Sequence, residues 1–161
     1  MQSDSAIDET ALEREILKFL NAHHVVSLAT VADGAVHAAC LMFAVEDCSL
    51  IWTSDPGARH SLAIERNAQV AATVAPDYED FRQIRGLQIA GRAHRLGDAR
   101  EAAHASELLR QKFHFLRELQ SAPAALRAAI DKAAYYRLDP DTITLIDNAR
   151  EFGNKRTLRI S

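Results

Sequence analysis

Residues 25–54 read VVSLATVADGAVHAACLMFAVEDCSLIWTS, and this stretch decides the fold. Three apolar, β-rich runs are separated by two short polar segments, Asp33-Gly34 and residues 46–49. An Asp-Gly pair between apolar runs indicates a tight hairpin, because a type I′ turn needs positive φ at both central residues. The stretch therefore predicts three consecutive antiparallel strands. A meander of this kind needs a second layer, or closure, to cover its faces.

A helix is predicted on each side of this meander. The tetrapeptide TALE at residues 10–13 fits a capping box with Thr10 as the N-cap, so the first helix is expected over about residues 10–21. Its apolar face, at helical spacing, consists of Leu12, Ile16, Phe19 and Leu20. After the meander, Asp55 is expected to cap a short second helix that has Pro56 at its first position.

The rest of the chain alternates between strand and helix patterns. Strands are predicted over residues 69–75 and 82–96, and Gly86 and Gly91 inside the second indicate a bulge, a bend or a close backbone approach. The remaining elements are a helical insertion over about residues 98–131, a β segment over 134–148 interrupted at 139–141, a turn around Gly153-Asn154 and a final strand. We therefore expect one α+β domain over residues 1–161, dominated by antiparallel strands, and the kinked strands favour a barrel with peripheral helices.

The composition is that of an ordinary globular protein. Hydrophobic residues make up 48% and charged residues 25% of the chain, and the net charge of −3 gives no support to a nucleic-acid-binding surface. No apolar run reaches the roughly 20 residues of a membrane span, and the acidic N-terminus does not resemble a signal peptide, so a cytoplasmic protein is expected. Cys40 and Cys48 are expected to be free thiols, with a disulfide between paired strands as the alternative.

The segment TSDPGARHS at residues 53–61 carries the groups that bind a phosphate. Thr53 and Ser54 supply hydroxyls at a strand end, and the turn after them frees backbone N–H groups at a helix start. Arg59 supplies a planar fork that matches phosphate oxygens, with His60 and Ser61 beside it. The same residue types also suit an ordinary strand–turn–helix connection, so the residues alone leave both interpretations open.

Two longer stretches resemble a known family. HHVVSLATVADGAVHAACLMFAV (23–45) and LIWTSDPGARHSLAIERNAQVAATV (50–74) resemble the pyridoxamine 5′-phosphate oxidase-like, FMN-binding split β-barrel proteins. RGLQIAGRAHRL (85–96) and YRLDPDTITLIDNAREFGNKR (136–156) are similar to the family's fifth strand and C-terminal strand pair. The resemblance therefore spans nearly the whole chain, and its DN…FGNK ending is similar to a small bacterial subgroup.

The resemblance implies a split-barrel homodimer with an FMN at each of two interface sites. The residues that it places around the flavin phosphate are Thr53, Ser54, Arg59, His60 and Ser61. It places Ala39, Cys40 and Leu41 along the isoalloxazine ring, where small side chains let a flat ring reach backbone amides. Gln88 would face the polar edge of the ring, and Lys155 and Arg156 would approach from the partner chain, where cations stabilise a reduced anionic ring.

The sequence also departs from the true oxidase. The family's oxidases carry an Arg and a Lys around the second strand, whereas that strand here reads AACLMFA without a cation. The oxidase's C-terminal Arg-x-His pattern is absent, because no histidine follows His114. We therefore expect an FMN-dependent oxidoreductase that acts on another small molecule or on a nicotinamide donor, and not on pyridoxamine phosphate.

Two alternatives remain open from the sequence. One is a non-catalytic flavin carrier or sensor, and the other is a haem-binding split barrel, although haem-handling split barrels look to use C-terminal histidines that this chain lacks. The seven histidines show no metal-ligand spacing, so no metal site is predicted.

Overall fold

The fold is a curled antiparallel sheet with helices at its ends and on one side. The computed structural model describes the backbone of residues 2–160 and the side chains of residues 8–119 and 121–160. The strands are β1 (Val25–Ala32), β2 (Ala35–Met42), β3 (Ala44–Glu46), β4 (Ser49–Ser54), β5 (Gln69–Val74), β6 (Arg85–Arg95), β7 (Ala134–Asp147) and β8 (Lys155–Arg159). The helices are α1 (Gln2–Ala22), α2 (Arg59–Arg66), α3 (Ala99–Lys112), α4 (Phe115–Glu118) and α5 (Ala124–Lys132), with 3₁₀ turns at Phe81–Gln83 and Leu119–Ser121.

The sheet closes because one stretch of chain forms both of its ends. The strand order is β2-β1-β5-β6-β7-β4-β3, with β8 added on β7, and all of these pairs are antiparallel. β2 and β3 are separated by Phe43 alone, yet β2 pairs with β1 and β3 pairs with β4. The first and last strands of the order are therefore continuous in the chain, which curls the sheet into the predicted split barrel.

The core fills the inside of the curled sheet. Alternate residues of each strand point inward, and Trp52 on β4 stacks on Tyr136 of β7 with ring centroids 5.8 Å apart. The predicted apolar face of α1 is buried against this core at one end, and Ile64 of α2 joins it as well. Each such side chain contributes about 1.5–3 kcal/mol when it is fully buried.

Lys112 holds three elements together at the strand junction. Its ammonium donates to the Leu20 carbonyl at the end of α1 (3.2 Å) and lies 4.1 Å from the ring centroid of Phe43. Partial burial lowers the pKa of Lys112 to about 8. The end of α3 is thus fixed to the end of α1 and to the point where β2 becomes β3.

The predicted hairpin and the predicted strand irregularity are both present. Asp33 and Gly34 have φ values of 52° and 76°, as a type I′ turn requires. The register of β6 against β7 shifts between Ala90 and Gly91. A Cβ at Gly91 would lie 2.3 Å from the carbonyl oxygen of Asp139, so the close approach of the two strands depends on glycine at this position.

Both predicted helix starts were wrong. α1 begins at Gln2, so Thr10 lies inside the helix; residues 2–9 contain no proline or glycine to stop a helix. α2 begins at Arg59 with Ala58 as N-cap, three residues after Pro56. Asp55 instead forms its own turn, in which its carboxylate accepts from the Gly57 amide (2.7 Å) and its carbonyl accepts from the Ala58 amide (3.0 Å).

The predicted interruption of the C-terminal β segment was also wrong. β7 runs without a break through residues 139–141, although proline cannot donate a ladder hydrogen bond. Pro140 lies opposite Gly91 at the register shift, where the ladder is already irregular, and Asp141 accepts from the Ile160 amide (3.0 Å). The bulge therefore accommodates the proline within a single strand.

The predicted helical insertion is confirmed and packs on the outside of the barrel. Asp98 caps α3 by accepting from the Arg100 amide (2.8 Å), and a second apolar cluster lies between α3 and the strands β3 and β4. No helix in the described part of the chain is long and apolar enough to cross a membrane. Both cysteines carry free thiols: Cys40 is exposed, and burial raises the pKa of Cys48 to about 11.

Replacing Gly91 tests the close approach of β6 and β7. We expect Gly91→Ala to lower the free energy of unfolding by about 1–3 kcal/mol, because the new Cβ overlaps a backbone oxygen that cannot easily move. Urea unfolding followed by circular dichroism measures this change. The control is Gly97→Ala, where a Cβ would have no neighbour within 4 Å. Equal stability of the two variants would contradict the interpretation.

Candidate functional site

The predicted phosphate segment, residues 53–61, runs from the end of β4 through a short turn into the start of α2. Its N-cap, Ala58, has an extended backbone and makes no side-chain capping bond, and the first turn contains no acidic residue. The first N–H groups of a helix have no partner within the helix, so an uncapped start leaves donors for an anion. Arg59 adds a guanidinium in that first turn.

A cationic pocket lies between α2 and the β1–β2 hairpin. Its volume is about 200 Å³, and its polar lining consists of Arg59, Arg66, Asp33 and His37. Asp33 is paired with Arg66, whereas no carboxylate among the described residues lies within 4 Å of the Arg59 guanidinium. The pocket therefore has an excess positive charge on Arg59, which is exposed and faces no carboxylate in the part of the chain that the structure describes.

His60 links the pocket to the end of β4. It is 9% exposed, and its Nε2 lies 2.7 Å from the Ser54 hydroxyl. Its ring is nearly parallel to that of His37, with an interplanar angle of 9° and centroids 6.5 Å apart. Burial, with a smaller contribution from His37, lowers the pKa of His60 from its ordinary value. The buried ring of His60 thus joins the Ser54 hydroxyl to the ring of His37.

Not all of the phosphate residues predicted from the sequence come together. Ser54, Arg59 and His60 lie around the start of α2, whereas Thr53 donates to the Ala134 carbonyl (3.1 Å) and lines a small apolar pocket beneath the helical insertion. Ser61 is fully buried one turn before Ile64 of the core, and its hydroxyl has no partner among the described residues. Thr53 therefore faces the helical insertion and Ser61 faces the interior, so neither lies with Ser54, Arg59 and His60.

A face of small side chains lies on the outside of the sheet at β1, β2, β5 and β6. A shallow groove of about 420 Å³ runs over it, and its lining is made chiefly of alanine, serine and threonine. The paired outward residues of successive strands are Cys40, Ser27, Thr73, Gln88 and Thr144 in one row, and Ala38, Ala29, Ala71 and Ala90 in the next. Such a surface allows a planar ring or another sheet to approach the backbone closely.

Strand alternation separates the residues predicted along the ring. Cys40 is exposed on the small-residue face, with its Sγ 3.7 Å from the Ser27 hydroxyl. Ala39 and Leu41 are half-buried and point the other way, and Leu41 packs against the core. Gln88 is exposed on the same face as Cys40, so Cys40 and Gln88 are the members of this set that the sheet presents together.

Lys155 and Arg156 also lie on different sides of β8. Arg156 is paired with Glu15 of α1 (2.7 Å), which also binds Arg85 (2.5 Å). Lys155 is exposed opposite Ile146, and no ion pair involves it among the described residues. Lys155 is therefore available to a ligand or a partner, while Arg156 attaches α1 to the barrel.

A second polar cavity, of about 430 Å³, lies between α3 and the outside of β7. Glu46 accepts from His104 and from Arg137 (2.5 Å), and Arg137 also donates to Asp139 (2.6 Å). The hydrogen bond from His104, with Arg137, lowers the pKa of Glu46. The bond between His104 and Glu46 attaches the insertion to the barrel. No group of three or more His, Cys, Asp or Glu side chains among the described residues could hold a metal ion.

Sequence reasoning missed two residues of the cationic pocket, His37 and Arg66. Arg66 follows Arg59 at the i+7 spacing of one helix face, so a helical reading of residues 59–66 could have grouped them. His37 pairs with Thr30 in the hairpin register, but nothing in the sequence indicates that α2 lies across this hairpin. Its part in the pocket required the tertiary structure.

The donors around α2 fit a phosphate monoester. A free guanidinium, uncapped helix amides and the Ser54 hydroxyl with its histidine partner are the donor types that bind phosphate oxygens. The face of small side chains on the outside of β1, β2, β5 and β6 fits a flat ring system. Together they match a phosphorylated planar cofactor in chemistry.

Comparison with known proteins agrees with the fold. Similar solved structures include a conserved hypothetical protein of Mycobacterium tuberculosis (TM-score 0.70, 17% identity, 86% of each chain covered). A haem-binding protein of Mycobacterium smegmatis has a TM-score of 0.68 and 17% identity, with 90% of this chain and 57% of that chain covered. An FAD-binding protein of Mesorhizobium loti has a TM-score of 0.61 and 24% identity, with 80% of this chain and 89% of that chain covered. No curated protein sequence matches the chain. The model of the pyridoxamine 5′-phosphate oxidase family matches residues 12–147, and the chain therefore belongs to that family.

Proposed function

We propose that the chain binds FMN and works as an FMN-dependent oxidoreductase, in a homodimer with the flavin at the subunit interface. The observation that carries the proposal is the position of the cationic pocket at α2 in a family-member barrel whose outer face is made of small side chains. A phosphate donor set and a platform for a flat ring occur in one fold. The Mesorhizobium loti protein, which has a similar fold and binds FAD, supports the assignment of a flavin.

In this proposal the cofactor phosphate is held by three kinds of donor. Arg59 supplies the charge and the planar fork, Ser54 supplies a hydroxyl positioned by His60, and the start of α2 supplies backbone amides. Thr53 and Ser61 remain candidates by resemblance, and in the geometry described above they act indirectly, through the strand end and the helix packing.

The small-residue face would carry the ring. Alanine, serine and threonine side chains do not hold the ring away from the sheet, and Cys40 and Gln88 lie in the same row. Gln88 can donate to or accept from the polar edge of a flavin, and Lys155 can supply a positive charge there from the partner chain. Ala39 and Leu41 would support this face from the other side of β2. When bound, the flavin supplies hydride or electron transfer at its ring.

The substrate is proposed to differ from pyridoxamine phosphate. The exposed residues of β2 around the ring position are Val36, Ala38, Cys40 and Met42, none of which is a cation. A second phosphate would have no cationic partner on the outward face of this strand. A nicotinamide donor or another small molecule is the expected substrate class. A flavin carrier or sensor without turnover is the first alternative, and haem binding, as in the Mycobacterium smegmatis relative, is the second.

An absorbance spectrum tests the proposal directly. The purified protein is mixed with FMN, and with haem in a parallel sample, and excess ligand is removed on a desalting column. A flavin spectrum retained at about one FMN per chain supports the proposal. NADH or NADPH oxidation with an electron acceptor then separates an oxidoreductase from a carrier. A retained Soret band without retained flavin would overturn the flavin assignment in favour of haem.

Replacing Arg59 tests the phosphate site. We expect Arg59→Ala to weaken FMN binding by about 1.5–3 kcal/mol, or about 10- to 150-fold in Kd, because a charge-assisted hydrogen bond is lost. Riboflavin has no phosphate, so its affinity should not change. Fluorescence titration measures both constants. Arg100→Ala is the matched control, since Arg100 is an exposed arginine on α3. Unchanged FMN affinity in Arg59→Ala would show that Arg59 does not bind the phosphate.

Replacing Lys155 and Arg156 separately tests the C-terminal strand. We expect Lys155→Ala to weaken FMN binding with little change in stability, because Lys155 is exposed and forms no ion pair with any described residue. Arg156→Ala should lower the free energy of unfolding by about 1 kcal/mol, through loss of its pair with Glu15. FMN titration and urea unfolding of both variants measure the two effects. If Lys155→Ala binds FMN as the parent does, the start of β8 is not part of the flavin site.

A further inference from the structure

Two histidines from different elements meet beside the cationic pocket. His37 is on β2 and lines the pocket, and His60 is on α2 and bonds to Ser54. Their rings are nearly parallel at 6.5 Å between centroids, although they are 23 residues apart in the chain. Neither ring has a carboxylate partner among the described residues. The arrangement brings two titratable groups together, and no carboxylate of residues 8–119 or 121–160 is paired with either ring.

The groups around the pair add positive charge and leave no free carboxylate beside it among the described residues. From α2, Arg59 and Arg66 add positive charge, and from the hairpin turn Asp33 is already paired with Arg66. Asp55, in the turn before α2, is bonded to the Gly57 amide. Burial and the neighbouring ring both lower the pKa of His60. A charged imidazole here would be desolvated and close to other cations.

We propose that His37 and His60 form a proton-linked phosphate clamp, so that the site takes up a proton from solvent when it binds the phosphate of its ligand. This inference rests on the proposed function. A phosphate dianion would supply the negative charge that the pair lacks and would stabilise an imidazolium beside Arg59. We assign the proton to the two rings together, because they lie side by side with centroids 6.5 Å apart. The only bond formed is an imidazole N–H.

The clamp predicts that affinity depends on pH and on the phosphate. Proton uptake on binding makes the complex tighter as pH falls, by at most about tenfold per pH unit for one proton. A lysine in place of His60 would be charged throughout this range and would remove the dependence. The phosphate of the ligand has its own pKa near about 6, so the useful range is above about pH 6.5.

In the unliganded protein, a fall in pH should lower the folding stability, whereas it should strengthen FMN binding. The pKa of His60 is lowered in the folded protein from its ordinary value of 6.5. The unfolded chain therefore binds more protons below that value, and folding stability is complete above it and falls as pH drops below it. Bound FMN should reduce this loss of stability, which can be followed by thermal unfolding at several pH values with and without FMN.

The test is a titration of the full chain with FMN and with riboflavin between about pH 6.5 and 8.5. Calorimetry in two buffers of different ionisation enthalpy counts the protons taken up. We expect the Kd for FMN to fall about tenfold from the top to the bottom of this range, with up to one proton taken up, and the Kd for riboflavin to stay constant. His37→Gln and His60→Lys should each flatten the FMN profile, while His114→Gln, at an exposed histidine outside the site, should keep it.

Each other outcome has a definite meaning. A pH-independent FMN affinity without proton uptake would overturn the clamp and leave the flavin function standing. A pH dependence that survives both His37→Gln and His60→Lys would place the proton on another group and would also overturn the clamp. Absence of FMN binding at every pH would instead overturn the proposed function. The proton count on the parent protein requires no variant, so a failure of either variant to fold does not affect it.

Discussion

The structure depends on one constraint, which is that residues 35–46 pair on two sides. β2 bonds to β1 and β3 bonds to β4, and Phe43 marks the change of partner. Phe43 is completely buried, its amide donates to the His24 carbonyl (3.2 Å), and the Lys112 ammonium lies over its ring. The bend in this stretch closes the sheet, and the closed sheet gives the apolar inner residues a common core.

Closure also determines what the outside of the barrel presents. With the large apolar core residues inside, the central outward positions of β1, β2 and β5 hold small side chains, among them Ser27, Ala29, Ala38, Cys40, Ala71 and Thr73. α2 connects β4 to β5, which β6 and β7 separate in the sheet, and on the way it packs across the β1–β2 hairpin. That crossing creates the cationic pocket and brings His60 beside His37. The candidate site is thus a consequence of the topology and not of one local motif.

The candidate site lies at a helix start that lacks the usual stabilising side-chain cap. A capping side chain at a helix start contributes about 1 kcal/mol, yet α2 has alanine at this position and an arginine directly after it. By comparison, α3 is capped by Asp98 in the usual way. Departures of this kind are expected at functional sites, where the unpaired donors are available to a ligand.

The sequence alone determined the elements whose signals are local. Strand alternation, the Asp33-Gly34 turn and the apolar face of α1 depend on neighbouring residues, and all three are present. The starts of α1 and α2 were misjudged because capping patterns also occur inside helices and in turns. The tertiary structure alone decided that Pro140 fits a continuous strand, that Thr53 and Ser54 diverge, and that His37 meets His60. These features depend on which strands and helices become neighbours after closure, and no spacing along the chain contains that information.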